Sequence, residues 1–478
     1  MASISSLGIG SGLDLTSLLA GLKTAEQAPL TAIQKQQASY TTKLTAYGQI
    51  SSTLGTLQSA ATALSKATLF EGMRATLTAT DVLTAQALPT AVNGSYAVNV
   101  TQLAQVQSLA ANGVLSTTSA IGGGTVTIDF GTIGGGTFDA ATGKHTGASF
   151  TPGTAVATPI TIAANSTLEN IRDAFNASAN SGVTASIVND GSATPNRLVL
   201  TSTQTGKAAS MKINVTGDPA LSSLLAHNPA ATQNLRQTAA AQNTELTVNG
   251  IAITSATNKV EGAVQDVTMT VSKTGAATLS VQKDTASVQS AVNDFVSAYN
   301  NLQTVSARLT AYDAAKQSGA ALLGDSTLRS IHVGIRSALT TPQTDDGSGL
   351  TMLSQIGVSF DDKGNLALDP AKLTAAMGTK MTGLANLFSG GASGYGTAMA
   401  ALVSSYTDTT GGVLTAASKG ISKTLDSLAK QYTSTSERAE ATVARYKTQF
   451  SQLDLMMSRM NQTSTYLTAQ FEAMNAKK

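Results

Sequence analysis

Residues 418–474, SKGISKTLDSLAKQYTSTSERAEATVARYKTQFSQLDLMMSRMNQTSTYLTAQFEAM, form the stretch on which the fold turns. Apolar side chains recur at Leu425, Leu428 and Tyr432, then at Ala439, Val443, Tyr446, Phe450, Leu453, Met457 and Met460, and on to Leu467, Phe471 and Met474. The steps alternate between three and four residues, the heptad spacing of a helix that buries one narrow stripe against a partner. A four-residue stutter at Thr435, Ala439 and Val443 locally unwinds any supercoil built on it. One long helix is therefore expected here.

The other end of the chain supplies a partner. Leu30, Ile33, Gln37, Tyr40, Leu44, Tyr47, Ser51, Leu54, Ala61 and Leu64 share the same spacing. Pairing the two seams makes both termini one element and everything between them a large insertion. Gln37, Ser51, Thr435, Ala439 and Ser464 are small or polar, so the seams are weaker than a Leu/Ile zipper and suited to receive further helices. They serve either as the core of an intramolecular hairpin or as a surface that other subunits complete. The candidate assembly residues are Leu30, Ile33, Tyr40, Leu44, Tyr47 and Leu54 on the first seam. On the second they are Leu425, Leu428, Tyr432, Val443, Tyr446, Phe450, Leu453, Met457, Met460, Leu467 and Phe471. Helices with so few strong seam residues are marginal alone in water, so 1–40 and 430–478 are expected to be largely disordered in a free subunit.

At the N-terminus, SISSLGIGSGL (Ser3–Leu13) superficially suggests a phosphate-binding loop, but the third glycine of a dinucleotide fingerprint falls on Leu13. A flexible arm is expected instead. Asp14 caps a short helix through Leu22, and Pro29 suits the first turn of the next, which runs to about Ala67. From Arg74 the period changes to two. Most prolines lie between Pro89 and Pro229, and none follows Pro370, which marks the middle as strands and loops and the end as helical. The pentad IGGGT occurs at Ile121–Thr125 and Ile133–Thr137, and reads as a hairpin or surface loops. A strand–helix–strand unit follows, with its helix at Leu168–Ala177, capped near Ser166, and strands at Val183–Val188 and Arg197–Thr201. Gln233–Gln242 reads as a polar linker. Strands resume at Glu245–Val248 and Ile251–Ile253 around the hairpin signal Asn249-Gly250, then at Val267–Val271 and Ala277–Val281. The fold class expected is α+β and multidomain: discontinuous terminal coiled-coil helices with two nested, mainly β insertion domains. The distal one (111–236) sits inside the other (74–110 with 237–283).

Composition narrows function more by exclusion. A net charge of +2 with 12% charged residues gives no basic surface for nucleic acid. Cysteine is absent, which removes disulfides and thiolate chemistry. No run is long and apolar enough to span a membrane, and no basic n-region precedes Lys23, so no cleaved secretory signal is read. His145, His227 and His332 are far apart in sequence, and no hydrolase, zincin or Walker motif occurs. Asp361, Asp362 and Asn365 read as a hairpin turn, because calcium-loop spacing fails. No catalysis, cofactor or metal is expected.

Motifs in order carry a family resemblance. They include SSLGIGSGLDL (Ser5–Leu15), EQAPL (Glu26–Leu30), LTAYGQISS (Leu44–Ser52), YAVNVTQLAQVQSL (Tyr96–Leu109) and NDFVSAYNNL (Asn293–Leu302). Gly319–Arg329, IGVSFDDKGNLALD (Ile356–Asp369) and RYKTQFSQLDLMMSRMNQTSTYL (Arg445–Leu467) continue them. Together they closely resemble the flagellar filament cap family, hook-associated protein 2. Ile160–Thr201 also resembles the β-α-β module of flagellins, with Leu168, Ile171, Asn176, Val183, Ala185 and Leu198–Leu200 in place and Phe175 where Ile is usual. The resemblance implies a secreted protein at the filament tip, exported by the flagellar type III system, that promotes flagellin insertion and prevents flagellin loss. It implies a ring-shaped homo-oligomer, a pentamer favoured, with flagellin and an export chaperone as partners, and hook–filament junction proteins and host mucin as further ones. It also divides the chain into a filament-facing segment (1–40 with 430–478), a helical leg (41–73 with 284–429) and the two β-rich head domains. The alternatives are a glycan-binding surface adhesin and a filament or junction subunit.

Overall fold

The computed structural model describes residues 12–154 and 158–475; most of the arm expected at Ser3–Leu13 lies outside them. The chain divides into two compact units: one takes in the chain through Phe70 and from Thr285 onward, the other is Glu71–Asp284.

The first unit is helical. Its longest members are Leu15–Leu64 and Val413–Asn475, joined by Thr285–Thr310, Ser326–Thr340 and Tyr395–Thr407. Asp14 opens the first helix by accepting from the Ser17 amide at 3.0 Å. The expected break before Pro29 is absent, and Pro29 lies inside one continuous helix. Proline costs a helix interior about 3 kcal/mol. Good helix formers on both sides, and burial of Leu15 and Leu30 along one helix, outweigh that loss. The core joins Ile50, Leu54 and Leu57 to Val292, Phe295, Tyr299 and Leu302 and to Ile331 and Ile335. Gly396 lets the helix Tyr395–Thr407 close on the end of the first helix, because a Cβ there would lie 2.8 Å from the Ser65 amide nitrogen.

The second unit is built on sheets. A five-stranded antiparallel sheet runs in the order Met73–Leu77, Gly275–Lys283, Gly94–Gln102, Thr244–Val248, Ile251–Ser255. A three-stranded sheet of Lys259–Val264, Val267–Val271 and Leu83–Ala87 shares its core of Val98, Leu246, Met269 and Leu279. A second core forms around Phe175, Leu109, Leu198 and Met211. There the helix Leu168–Ala177 covers sheets that include Val183–Asn189, Asn196–Thr205, Val106–Ala110 and Arg236–Ala239. Asn176 serves the outer edge of this sheet: it donates to the Ala185 carbonyl at 2.9 Å and accepts from the Ala185 amide at 2.8 Å. This motif residue thus satisfies an edge strand that would otherwise present free backbone groups.

Two readings need correction. The second IGGGT pentad, Ile133–Thr137, does lead through exposed bends at Gly135 and Gly136 into a hairpin of Thr137–Asp139 with Lys144–Thr146. The first is not a surface loop but part of the strand Ala120–Gly134, flanked by Ser210–Gly217 on one side and by Ile160–Thr167 and Ser149–Pro152 on the other. Its glycines admit these neighbours closely, and a Cβ on Gly124 would meet the Thr216 carbonyl oxygen at 2.1 Å. The supposed linker contains the strand Arg236–Ala239, paired with Val106–Ala110. Gln237 is buried there because Gln107 donates to it at 2.7 Å, so a polar residue occupies a core position. Between the two β cores the backbones of Gln105 and Gln242 bond reciprocally at 2.9 and 3.1 Å. The strand Lys259–Val264 and the helix Pro219–Leu225 had no counterpart in the sequence reading.

Candidate assembly surface

The two seams meet as antiparallel helices. Leu414 and Ile421 belong to the core that holds Leu54 and Leu57, and farther along Gln34 donates to the Tyr432 hydroxyl at 3.2 Å. The candidate residues fall into three groups along this pair.

Leu54 and Tyr47 are buried, and Leu44 packs half-buried beside them; all three are committed to the core of their own unit. Tyr47 is fixed further by donating to Asp325 at 2.7 Å, while Lys43 pairs with the same carboxylate at 2.9 Å. Burial, reinforced by the Asp325 carboxylate, pushes the Tyr47 hydroxyl up to about 12. Burial also acts to raise Asp325, but the hydrogen bonds from Tyr47 and Lys43 outweigh it and hold that carboxyl below its usual range. Asp325 in turn caps Ser326–Thr340 by accepting from the Leu328 amide at 3.0 Å. This node locks the first helix to the helical core.

The second group lies where the long helices run together. Leu30 and Leu428 are buried there, and Ile33, Leu425, Tyr432, Val443, Tyr446 and Phe450 are half-buried, while Tyr40 faces outward.

The third group stands open. From Leu453 onward no described residue of the C-terminal helix is buried, and every one from 461 to 475 is exposed. Met460 is 56% exposed, Leu467 48% and Phe471 58%, and Met457 alone of the candidates here is half-buried. Leu455, Met456, Tyr466 and Met474, which were not among the candidates, are exposed as well. A contiguous apolar surface of this kind marks a binding site. The sequence carried its signal: Leu453, Leu455, Met456 and Met457 place four apolar residues in five positions, more than one narrow stripe can bury.

Among the described residues no group of three or more His, Asp or Glu could hold a metal ion. No described helix is long and apolar enough to cross a membrane. His145 and His227, read as remote from each other, are joined through Gln233: its side chain bonds the His145 backbone at 2.7 and 2.8 Å, and its backbone bridges to His227.

Comparison with known proteins agrees along the whole chain. Residues 11–107 match the family described as flagellar hook-associated protein 2 N-terminus, and 241–462 match its C-terminus. Residues 137–204 match the flagellin hook IN motif, which encloses the module at Ile160–Thr201. The flagellar hook-associated protein 2 of Escherichia coli K12 is 41% identical, with 99% of each chain covered. That of Salmonella typhimurium is 39% identical over 99% of this chain and 100% of its own. A crystal structure of the flagellar cap protein FliD D1-D2-D3 domains from Escherichia coli superposes with a TM-score of 0.61 at 36% identity, covering 79% of this chain and 99% of that one.

Proposed function

This chain belongs to the flagellar hook-associated protein 2 family, and from that premise we propose that it caps the distal end of a bacterial flagellar filament, promoting flagellin insertion and preventing flagellin loss. The observation that carries the reading is the open apolar end of the C-terminal helix, Leu453–Met474, on a chain related over its whole length to proteins named for a place in the flagellum and not for a reaction. A helix end that the other described residues leave uncovered is a surface for further subunits to cover.

Finer points follow the same reading. The chain leaves the cell by the flagellar type III route, held beforehand by an export chaperone, and assembles as a ring, a pentamer favoured. Residues 1–40 with 430–478 face the filament, 41–73 with 284–429 form a leg, and the β-rich domains form a head. The division of the chain near Phe70 and Thr285 supports separating leg from head. Junction proteins and host mucin are further contacts to test, mucin through the head.

The deciding experiment removes the gene and labels the restored protein. Loss of filaments, flagellin monomer in the medium and one labelled spot at each filament tip are expected. Label along the whole filament would make it a filament subunit instead. Normal filaments with loss of mucin binding alone would make it an adhesin.

A further inference from the structure

A cleft of about 380 Å³ lies within the helical unit, between Thr285–Thr310 and the start of Ser326–Thr340. Gln303, Ser306 and Thr310 follow one another at steps of three and four on the first helix, and Arg329 and His332 stand one turn apart on the second. Each helix thus turns one polar face to the cleft. Ser306 is the anomaly on that lining. It is 4% exposed, and its hydroxyl has no hydrogen-bond partner. Its neighbours do not supply one: Gln303 donates to the Tyr299 hydroxyl at 2.6 Å, and Thr310 donates to the Ser306 carbonyl at 2.9 Å. Buried polar groups are almost always matched, so an orphan on a cleft wall points to a group that enters the cleft and completes it.

The charges around the cleft select the kind of group. The Arg329 guanidinium is exposed and has neither an ion pair nor a hydrogen bond among the described residues. Asp325 is the one acidic residue on the lining, and its carboxylate is already engaged. It is 5% exposed, pairs with Lys43 at 2.9 Å, and accepts from the Tyr47 hydroxyl at 2.7 Å and the Leu328 amide at 3.0 Å. Burial lowers the pKa of His332, so at neutral pH its ring is an uncharged donor. The cleft therefore offers one uncompensated positive charge beside several N–H and O–H groups. We propose that it binds an oxyanion, a phosphate or carboxylate group, with Arg329 as the counter-charge and the Ser306 hydroxyl as a buried donor. A planar guanidinium suits this because it can present two parallel N–H groups to two oxygens of one anion. The site draws on no residue of the terminal helix seams.

Calorimetric titration of the full chain at constant ionic strength tests it, with inorganic phosphate in one arm and N-acetylglutamate amide, a lone side-chain carboxylate, in the other. Saturable binding is expected. Phosphate alone would assign the cleft to a free phosphate, the carboxylate alone to an acidic protein side chain, and either upholds the site. Arg329→Gln should weaken binding about tenfold or more. Arg336→Gln is the control: it lies on the same helix outside the cleft, over the Phe360 ring at 5.0 Å, and should leave binding unchanged. Ser306→Ala should weaken binding severalfold, yet leave the free chain's melting temperature the same or higher, because it removes an unmatched hydroxyl. No saturation with either anion, or equal losses in the Arg329 and Arg336 variants, would overturn the proposal. A Ser306→Ala chain that melts lower without any anion would show the hydroxyl satisfied inside the protein, and would overturn its part as donor.

Discussion

Lowering the pH should selectively unlock the distal β core through His227. This residue is 1% exposed, and neither ring nitrogen has a hydrogen-bond partner, nor does Nε2 of His145. Burial pushes its pKa down to about 4, helped by the positive charges of His145 and Lys144, while the Leu235 backbone opposes the shift and is outweighed. In the unfolded chain an ordinary histidine titrates near 6.5. Between about pH 6.5 and 4 the unfolded chain therefore binds a proton that the folded one refuses, and stability falls as pH falls through that window. The lowering corresponds to about 3 kcal/mol, lost in full only below pH 4. The assay is calorimetry of the full chain from pH 7.5 to 4, comparing wild type with His227→Leu, which cannot titrate. The wild-type transition of the Glu71–Asp284 unit should drop more steeply with acid than that of the variant. Equal pH dependence in the two proteins would refute the reasoning.

Three further outcomes follow. Asp325→Ala removes a helix cap, the Tyr47 hydroxyl's acceptor and the partner of Lys43 together, and should cost the helical unit about 3 kcal/mol in chemical denaturation. Phe175 is fully buried; Phe175→Ala should cost about 3–5 kcal/mol, whereas Phe175→Ile, the residue usual in the related module, should cost less than about 1.5 kcal/mol. In the monomer, amide exchange along the C-terminal helix should be slow where Leu414, Ile421 and Leu428 are buried and fast across 430–475, the part expected to be largely disordered in a free subunit; strong protection beyond residue 430 would refute that expectation.

Much of this architecture was legible because local signals and burial agreed. The helix Leu168–Ala177 lies where its spacing placed it, with the cap on Thr167, next to the expected Ser166. Asn249 and Gly250 both adopt positive φ, 49° and 83°, as a tight hairpin requires, and join the paired strands at Val248 and Ile251. The misreadings arose where tertiary contacts override composition. Glycines at 122–124 look like loop residues, yet they are selected by the closeness of neighbouring strands. Gln237 looks like linker, yet Gln107 satisfies it inside the core. The seams show the same limit. Spacing identified their residues but could not say which the chain covers itself: Leu54 and Leu467 obey one pattern, and only the fold makes one core and the other surface.

The central claim is that the open apolar end of the C-terminal helix is the working surface of a filament cap. It is tested most directly in a strain lacking the gene and carrying the triple variant Met460→Ser, Leu467→Ser, Phe471→Ser, with secreted flagellin measured beside filament length. The variant chain should still be exported, while filaments fail to grow and monomeric flagellin accumulates in the medium. Full-length filaments with no flagellin in the medium would contradict the account.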